Sequence, residues 1–180
     1  MAKMNMDIRK TTEEDRKIIF QVEDLAFDDP EVPVLADELL EDPTAHPLIS
    51  LLAFDGEQAV GHILFTNGWL EGFEELSVSI LAPLAVIPSH QKQGIGGQLI
   101  RAGLELLKQQ EVDLVFVLGH IDYYPRHGFA PALPQGFIPP YPTKQGLEDA
   151  WMVQAISDIR LADYAGQVHV SKVMDKPENW

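Results

Sequence analysis

The run LAPLAVIPSHQKQGIGGQLI, residues 81–100, limits the fold more than any other stretch, because a buried strand, a polar turn and a glycine-opened helix follow one another in it without a gap. Leu81 to Ile87 carries no charge and ends in β-branched residues, the pattern of a strand covered on both faces, and Pro88 stops it. Gly94, Gly96 and Gly97 fall where a helix begins. Beyond them Ile95, Leu99, Ala102 and Leu106 share one face while Gln98, Arg101, Glu105 and Lys108 share the other, which predicts an amphipathic helix lying on a sheet. Glycines in the first turn leave unpaired backbone N–H groups and the positive end of the helix dipole open to a ligand, a combination suited to phosphate.

Two common phosphate motifs do not fit. The dinucleotide turn G-x-G-x-x-G, counted from Gly94, requires glycine where Leu99 stands, and the P-loop requires a Lys-Ser or Lys-Thr pair that these glycines lack. Gln91-Lys92-Gln93-Gly94-Ile95-Gly96 instead resembles the pyrophosphate-binding motif Q/R-x-x-G-x-G/A of the GNAT superfamily of N-acetyltransferases, and the apolar strand precedes it as in that family. A second element follows in the expected order. The apolar run Leu114 to Leu118 leads to Tyr123-Tyr124-Pro125-Arg126-His127-Gly128-Phe129, similar to the family's F-Y-x-x-x-G-F. The resemblance is strongest from about Val60 to Phe129.

That resemblance implies an α/β (α+β) fold with a central mixed, mostly antiparallel sheet, one parallel pair splayed around the cofactor, and flanking helices. It implies acetyl-CoA as co-substrate and direct transfer of the acetyl group to an amine of a small molecule or protein, with no covalent enzyme intermediate. The pyrophosphate would be held around Gln91, Lys92, Gln93, Gly94, Ile95, Gly96 and Gly97. The pantetheine arm would pair near Leu84, Ala85 and Val86, and a freed N–H at Leu84 or Ala85 would face the thioester oxygen. Tyr124 matches the family tyrosine beside the cofactor sulfur and would act as general acid, with Tyr123 able to exchange roles with it. Many relatives carry a carboxylate on the splayed strand just before the bulge, where this chain has Ala82. The base is therefore left among Ser79, Glu75 and His120, and a CoA-binding regulatory module without turnover is the competing function. Lys92, Arg101 and Arg126 are candidates to meet the phosphates.

Composition narrows the rest. With 180 residues, of which 46% are hydrophobic, one domain with a substantial core is expected over 1–180, its core about 6–156 and residues 157–180 an extension. The chain has no cysteine, which excludes an acyl-enzyme on a thiol, and its six histidines lie singly, so no metal site is expected. Net charge is −15, and residues 1–75 hold eighteen Asp and Glu against five Lys and Arg. Nucleic acid would be repelled, whereas a cationic amine would be attracted. No apolar run suits a membrane span or a signal-peptide core, so cytoplasmic residence is the expectation, with a homodimer left open.

Along the chain, Asp7 to Lys10 reads as a strand, and Thr11 placed three residues before Glu14 signals a helix start leading to about Ala26. A shorter helix is expected at Val34 to Leu40, a hairpin around Asp55-Gly56, and a connection at Asn67-Gly68. Pro83 inside the apolar strand predicts a bulge. Strands are expected at Val112 to Leu118, Phe129 to Ala132, Ala150 to Ile156 and, weakly, Val168 to Val170, with Pro131 to Asp149 a long surface loop.

Overall fold

The computed structural model describes residues 6–180. Nine strands form one mixed sheet whose path runs β1 (Asp7–Lys10), β2 (Ile49–Asp55), β3 (Gln58–Leu70), β4 (Val78–Val86), β5 (Leu114–Leu118), β8 (Trp151–Ala155), β6 (Ala130–Pro131), with β9 (Gly166–Val170) on β3 and β7 (Phe137–Ile138) on β9. Neighbours are antiparallel except β4 with β5 and the two-residue pair β7 with β9. The expected single parallel pair is thus present in the main path, and a second, short one joins it at the edge.

Helices α1 (Arg16–Ala26) and α2 (Glu31–Glu41) cover one sheet face and α3 (Ile95–Gln109) the other. On α3 the buried stripe is Ile95, Gly96, Leu99, Ile100, Gly103, Leu104 and Leu107, turned by about a residue from the face expected, so that Ala102 and Leu106 lie half-buried at its edge. The rotation has a packing cause. Gly103 and Gly61 bring helix and sheet together: a methyl on Gly103 would run into the Phe65 ring, and one on Gly61 would reach Leu99 Cδ1 at 2.9 Å. Each large apolar side chain buried in this contact contributes about 1.5–3 kcal/mol.

The start of α1 is set one residue later than the sequence signal. Thr12 N–H donates to Asp15 Oδ2 at 2.7 Å, and Arg9 holds both carboxylate oxygens of Asp15 at 2.7 and 2.9 Å, so Asp15 and not Glu14 closes the turn. The α2 helix begins at Glu31, with Pro33 inside its first turn, where a missing N–H costs nothing. Asn67-Gly68 is strand and not connection. β3 outlasts β2, and β9 pairs with Gly68, Trp69 and Leu70 along the edge that β2 leaves; Gly68 allows this, since a methyl there would meet His169 O at 2.8 Å. The proline-rich loop is only partly at the surface: Phe137 is fully buried against Phe116 and accepts, through its carbonyl, the Trp151 indole N–H at 3.1 Å. Residues 157–180 pack on the sheet through β9 and through Trp180, whose ring meets Trp151 edge-on. No helix among the described residues is long and apolar enough to cross a membrane.

Candidate active site

The site begins where β4 parts from β5. Their ladder runs from Val78–Leu114 to Leu81–Val117 and ends there. Beyond it, β5 stays with β8 through Leu118–Trp151, and Gly119 N–H continues to Ala150 O. Pro83 has no N–H to offer a ladder, and the register with β3 slips at this point: Leu81 faces Phe65 and Leu84 faces Ile63, leaving Ala82 and Pro83 opposite Leu64 alone. The bulge expected from Pro83 is present, and β4 from Ala82 to Val86 has one edge without a neighbouring strand.

Backbone alternation fixes what that free edge offers. Ile87 N–H donates to Val60 O, and Ala85 lies opposite His62 two residues earlier, so Ala85 turns its polar groups towards β3 while Leu84 and Val86 turn theirs into the gap. The Val86 carbonyl is taken by Gln91 Nε2 at 2.9 Å, which ties the polar turn to the strand end. Of the two N–H groups expected to meet the thioester, that of Leu84 faces the gap and that of Ala85 does not.

Across the gap stands the start of α3. Gly94 caps it with φ 83°, Lys92 before it also has left-handed backbone at φ 62°, and no side chain caps the helix. Gln98 is the first residue to bond back, to Gly94 O, so the N–H groups of Ile95, Gly96 and Gly97 have no acceptor among the described residues. The Tyr123 hydroxyl occupies the space that a Gly96 side chain would need, and His127 Cε1 lies 2.9 Å from where a Gly97 methyl would sit. A side chain at either position would fill the cradle.

The cleft between these elements measures about 810 Å³. Lys92, Arg101 and Arg126 line it, none in an ion pair with the described residues, and no Asp or Glu does, in a chain of net charge −15. The two arginines have a further effect: burial and then their charge lower the His127 pKa, which keeps its imidazole neutral near pH 7. Tyr124 is buried, with its ring edge-on to Tyr123 and Phe129, and burial followed by the neighbouring Tyr123 pushes its phenol well above the ordinary range. Its hydroxyl has no hydrogen-bond partner among the described residues, and the residue lines the cleft. His120 also lines the cleft, its side chain without a hydrogen bond to the described residues.

Leu84, Ala85, Val86, Gln91, Lys92, Gly94, Ile95, Gly96, Gly97, His120 and Tyr124 are therefore brought together as the sequence suggested. Gln93 is not among the lining residues; its amide reaches Ser89 O instead. Ser79 lies away from the cleft, 4% exposed, with its hydroxyl donating to Thr66 O. Glu75 is in an exposed turn before β4. Ala26 and Phe27 at the end of α1, and His90, complete the lining unannounced by any sequence motif, together with His127, which stands at a variable position of the second motif. His90 is placed by bonds to Asp55 Oδ2 and Ser89 Oγ at 2.9 and 2.7 Å.

A second polar cluster lies under α1. Ser50 Oγ is 2.8 Å from His62 Nε2, and His62 Nδ1 is 2.6 Å from Glu23 Oε1, an order of groups familiar from serine hydrolases. Their exposures are 5%, 0% and 0%, and none of the three lines the cleft, so the hydroxyl is closed to a substrate carbonyl. Burial pushes the Glu23 carboxyl upward against the pull of His62, and the trio serves to dock α1 on the sheet.

Residues 10–129 match the Acetyltransferase (GNAT) family, and the chain belongs to it. It is 46% identical over 149 residues to YjhQ of Escherichia coli K12, described as an uncharacterized N-acetyltransferase, a match covering 82% of each chain. Among solved structures it resembles the GNAT N-acetyltransferase YhbS of Escherichia coli in complex with CoA, with TM-score 0.85 and 27% identity over 95% of this chain and 92% of that one. A GNAT acetyltransferase of Brucella melitensis in complex with acetyl-CoA gives TM-score 0.73 and 27% identity over 95% of this chain and 99% of the other.

Proposed function

We propose that this enzyme moves an acetyl group from acetyl-CoA directly to an amine. The observation that carries the reading is the cleft itself: three cations and three helix N–H groups without partners among the described residues, and no carboxylate in the lining, beside a strand edge that offers the backbone of Leu84 and Val86. Pyrophosphate would sit on Ile95, Gly96 and Gly97 with Lys92, Arg101 and Arg126 around it. The pantetheine amides would continue the β4 ladder in the gap, and Leu84 N–H would face the thioester oxygen as it gains charge.

In the reaction the amine nitrogen attacks the acetyl carbonyl carbon, the carbon–sulfur bond breaks with its electron pair going to sulfur, and one proton passes from nitrogen to the thiolate. His120, an exposed residue of the cleft lining, takes the amine proton. A phenol held above the ordinary tyrosine range stays protonated far beyond neutral pH, and it also lies above the thiol range of about 8.5, so Tyr124 steadies the leaving thiolate through its hydrogen bond while solvent makes up the proton.

Single-turnover thiol release with enzyme in excess tests this role apart from product release. Tyr124→Phe is expected to slow the step by roughly 10²-fold with acetyl-CoA affinity nearly unchanged, and the wild-type rate should show no loss from phenol ionisation up to about pH 10. Equal rates for the two proteins would remove Tyr124 from the chemistry. Acetyl-CoA binding without thiol release from any amine would leave a binding module in place of the enzyme.

A further inference from the structure

A second cavity, of about 440 Å³, opens between the end of β5, the loop 143–150 and residues 178–180, and the residue it shares with the cofactor cleft is His120. Leu118, Ile121, Leu147 and Trp180 give it an apolar wall. Asp149 and Glu178 stand on its rim with a single lysine, Lys144, and no ion pair joins them. The wall is held in place: Trp180 Nε1 donates to Met174 O at 3.1 Å, and Asn179 Nδ2 donates to Val173 O and Met174 O at 3.3 and 3.2 Å. On the loop side, Ala150 N–H bonds Leu147 O, and Gly146 N–H bonds Glu148 Oε1.

Resting on the reading that the cleft holds acetyl-CoA, we propose that this cavity is the acceptor site and that the acceptor is a small primary amine carried on an apolar body. A molecule seated there reaches the cleft past His120, the point at which an ammonium must lose its proton before its nitrogen can form the bond to the acetyl carbon. The carboxylates of Asp149 and Glu178 draw in the cation, and the apolar wall takes the body at about 25 cal/mol per Å² of apolar area removed from water. The volume lies at the lower end of the range for small-molecule sites, roughly 300–1,000 Å³. A polyamine would meet the carboxylates and leave the apolar wall uncovered. Selectivity would thus reside in residues 143–150 and 178–180, outside the part of the chain that matches the family.

The test uses phenethylamine as the probe, with spermidine and an alanine-initiated hexapeptide for comparison, after calorimetry has established acetyl-CoA binding to the same preparation. Phenethylamine should be acetylated with kcat/KM about tenfold or more above spermidine. Leu147→Arg, at a position 51% exposed, should raise the phenethylamine KM by about tenfold while acetyl-CoA affinity stays within about twofold. Asp149→Asn with Glu178→Gln should raise that KM several-fold and flatten its salt dependence. If spermidine or the peptide is the better acceptor, or if the phenethylamine KM ignores these variants, the acceptor site lies elsewhere and transfer from acetyl-CoA still stands. If acetyl-CoA does not bind, or no acceptor releases thiol, the transfer reading and this proposal fall together.

Discussion

Lys92, Arg101 and Arg126 line the cleft and no carboxylate does, whereas Asp149, Glu178 and one lysine rim the cavity beside it. The cleft adds backbone N–H groups at a helix start; the cavity adds leucine, isoleucine and tryptophan side chains. The two share His120. In a chain of net charge −15, a region free of acids is one that folding has assembled from distant segments, since the cations come from the glycine turn, the second turn of α3 and the stretch after β5. With a screening length of about 8 Å at physiological salt, adjacent regions of opposite character can each act on their own ligand, a polyanion on one side and a cation on the other. Local charge arrangement, and not net charge, then decides what binds.

The comparison can be broken most severely through the buried trio. Helix α1 and its C-cap contribute Ala26 and Phe27 to the cleft and nothing to the cavity. His62→Leu leaves the Glu23 carboxyl buried without its partner and should cost about 3–5 kcal/mol in denaturant unfolding, with acetyl-CoA affinity falling as α1 loosens. A variant as stable as wild type would show that the trio does not dock the helix.

Gly96→Asp strikes the cleft alone. Its side chain meets the hydroxyl end of Tyr123, which can swing aside, so the fold should survive while negative charge enters the cradle. Acetyl-CoA affinity should drop by about 10²-fold or more, some 2.7 kcal/mol. An unchanged affinity in the folded variant would place the pyrophosphate elsewhere.

A smaller effect belongs to Asp15, which anchors the start of α1. Its bonds to Arg9 hold its pKa down at about 2, against about 3.9 for an unfolded chain. A depressed carboxyl stabilises the fold above the unfolded value and loses that contribution as pH falls through the folded one. Arg9 is half-exposed, so Asp15→Asn should cost only about 1–2 kcal/mol at neutral pH, with the difference from wild type closing between about pH 4 and pH 2. A difference that persists at pH 2 would assign the loss to packing.

The glycine turn, the Pro83 bulge and the order of strands around them were legible because each depends on local chemistry: a missing side chain, a missing N–H, a run without charge. The site residues within that unit could be named through the resemblance of its two motifs to those of the acetyltransferase family. Ser79 could not be placed, because only the pairing with β3 shows that its hydroxyl turns to Thr66. The choice between Leu84 and Ala85 as the N–H in the gap depended on ladder alternation, which a bulge resets. Ala26 and Phe27 carry no local signal, since α1 reaches the cleft through a contact between Glu23 and His62 that spans 39 positions. Residues 178–180 wall a cavity only because Trp180 folds back on Trp151.

The most direct test of the central claim is a calorimetric titration of acetyl-CoA into wild type and into Arg101→Glu with Arg126→Glu. Neither arginine has an ion-pair partner among the described residues, so the double variant should fold normally. One acetyl-CoA per chain is expected, with affinity that weakens as salt rises and is reduced by about 10²-fold or more in the double variant. Acetyl-CoA binding of equal strength in both proteins, indifferent to salt, would contradict the assignment of this cleft to the cofactor.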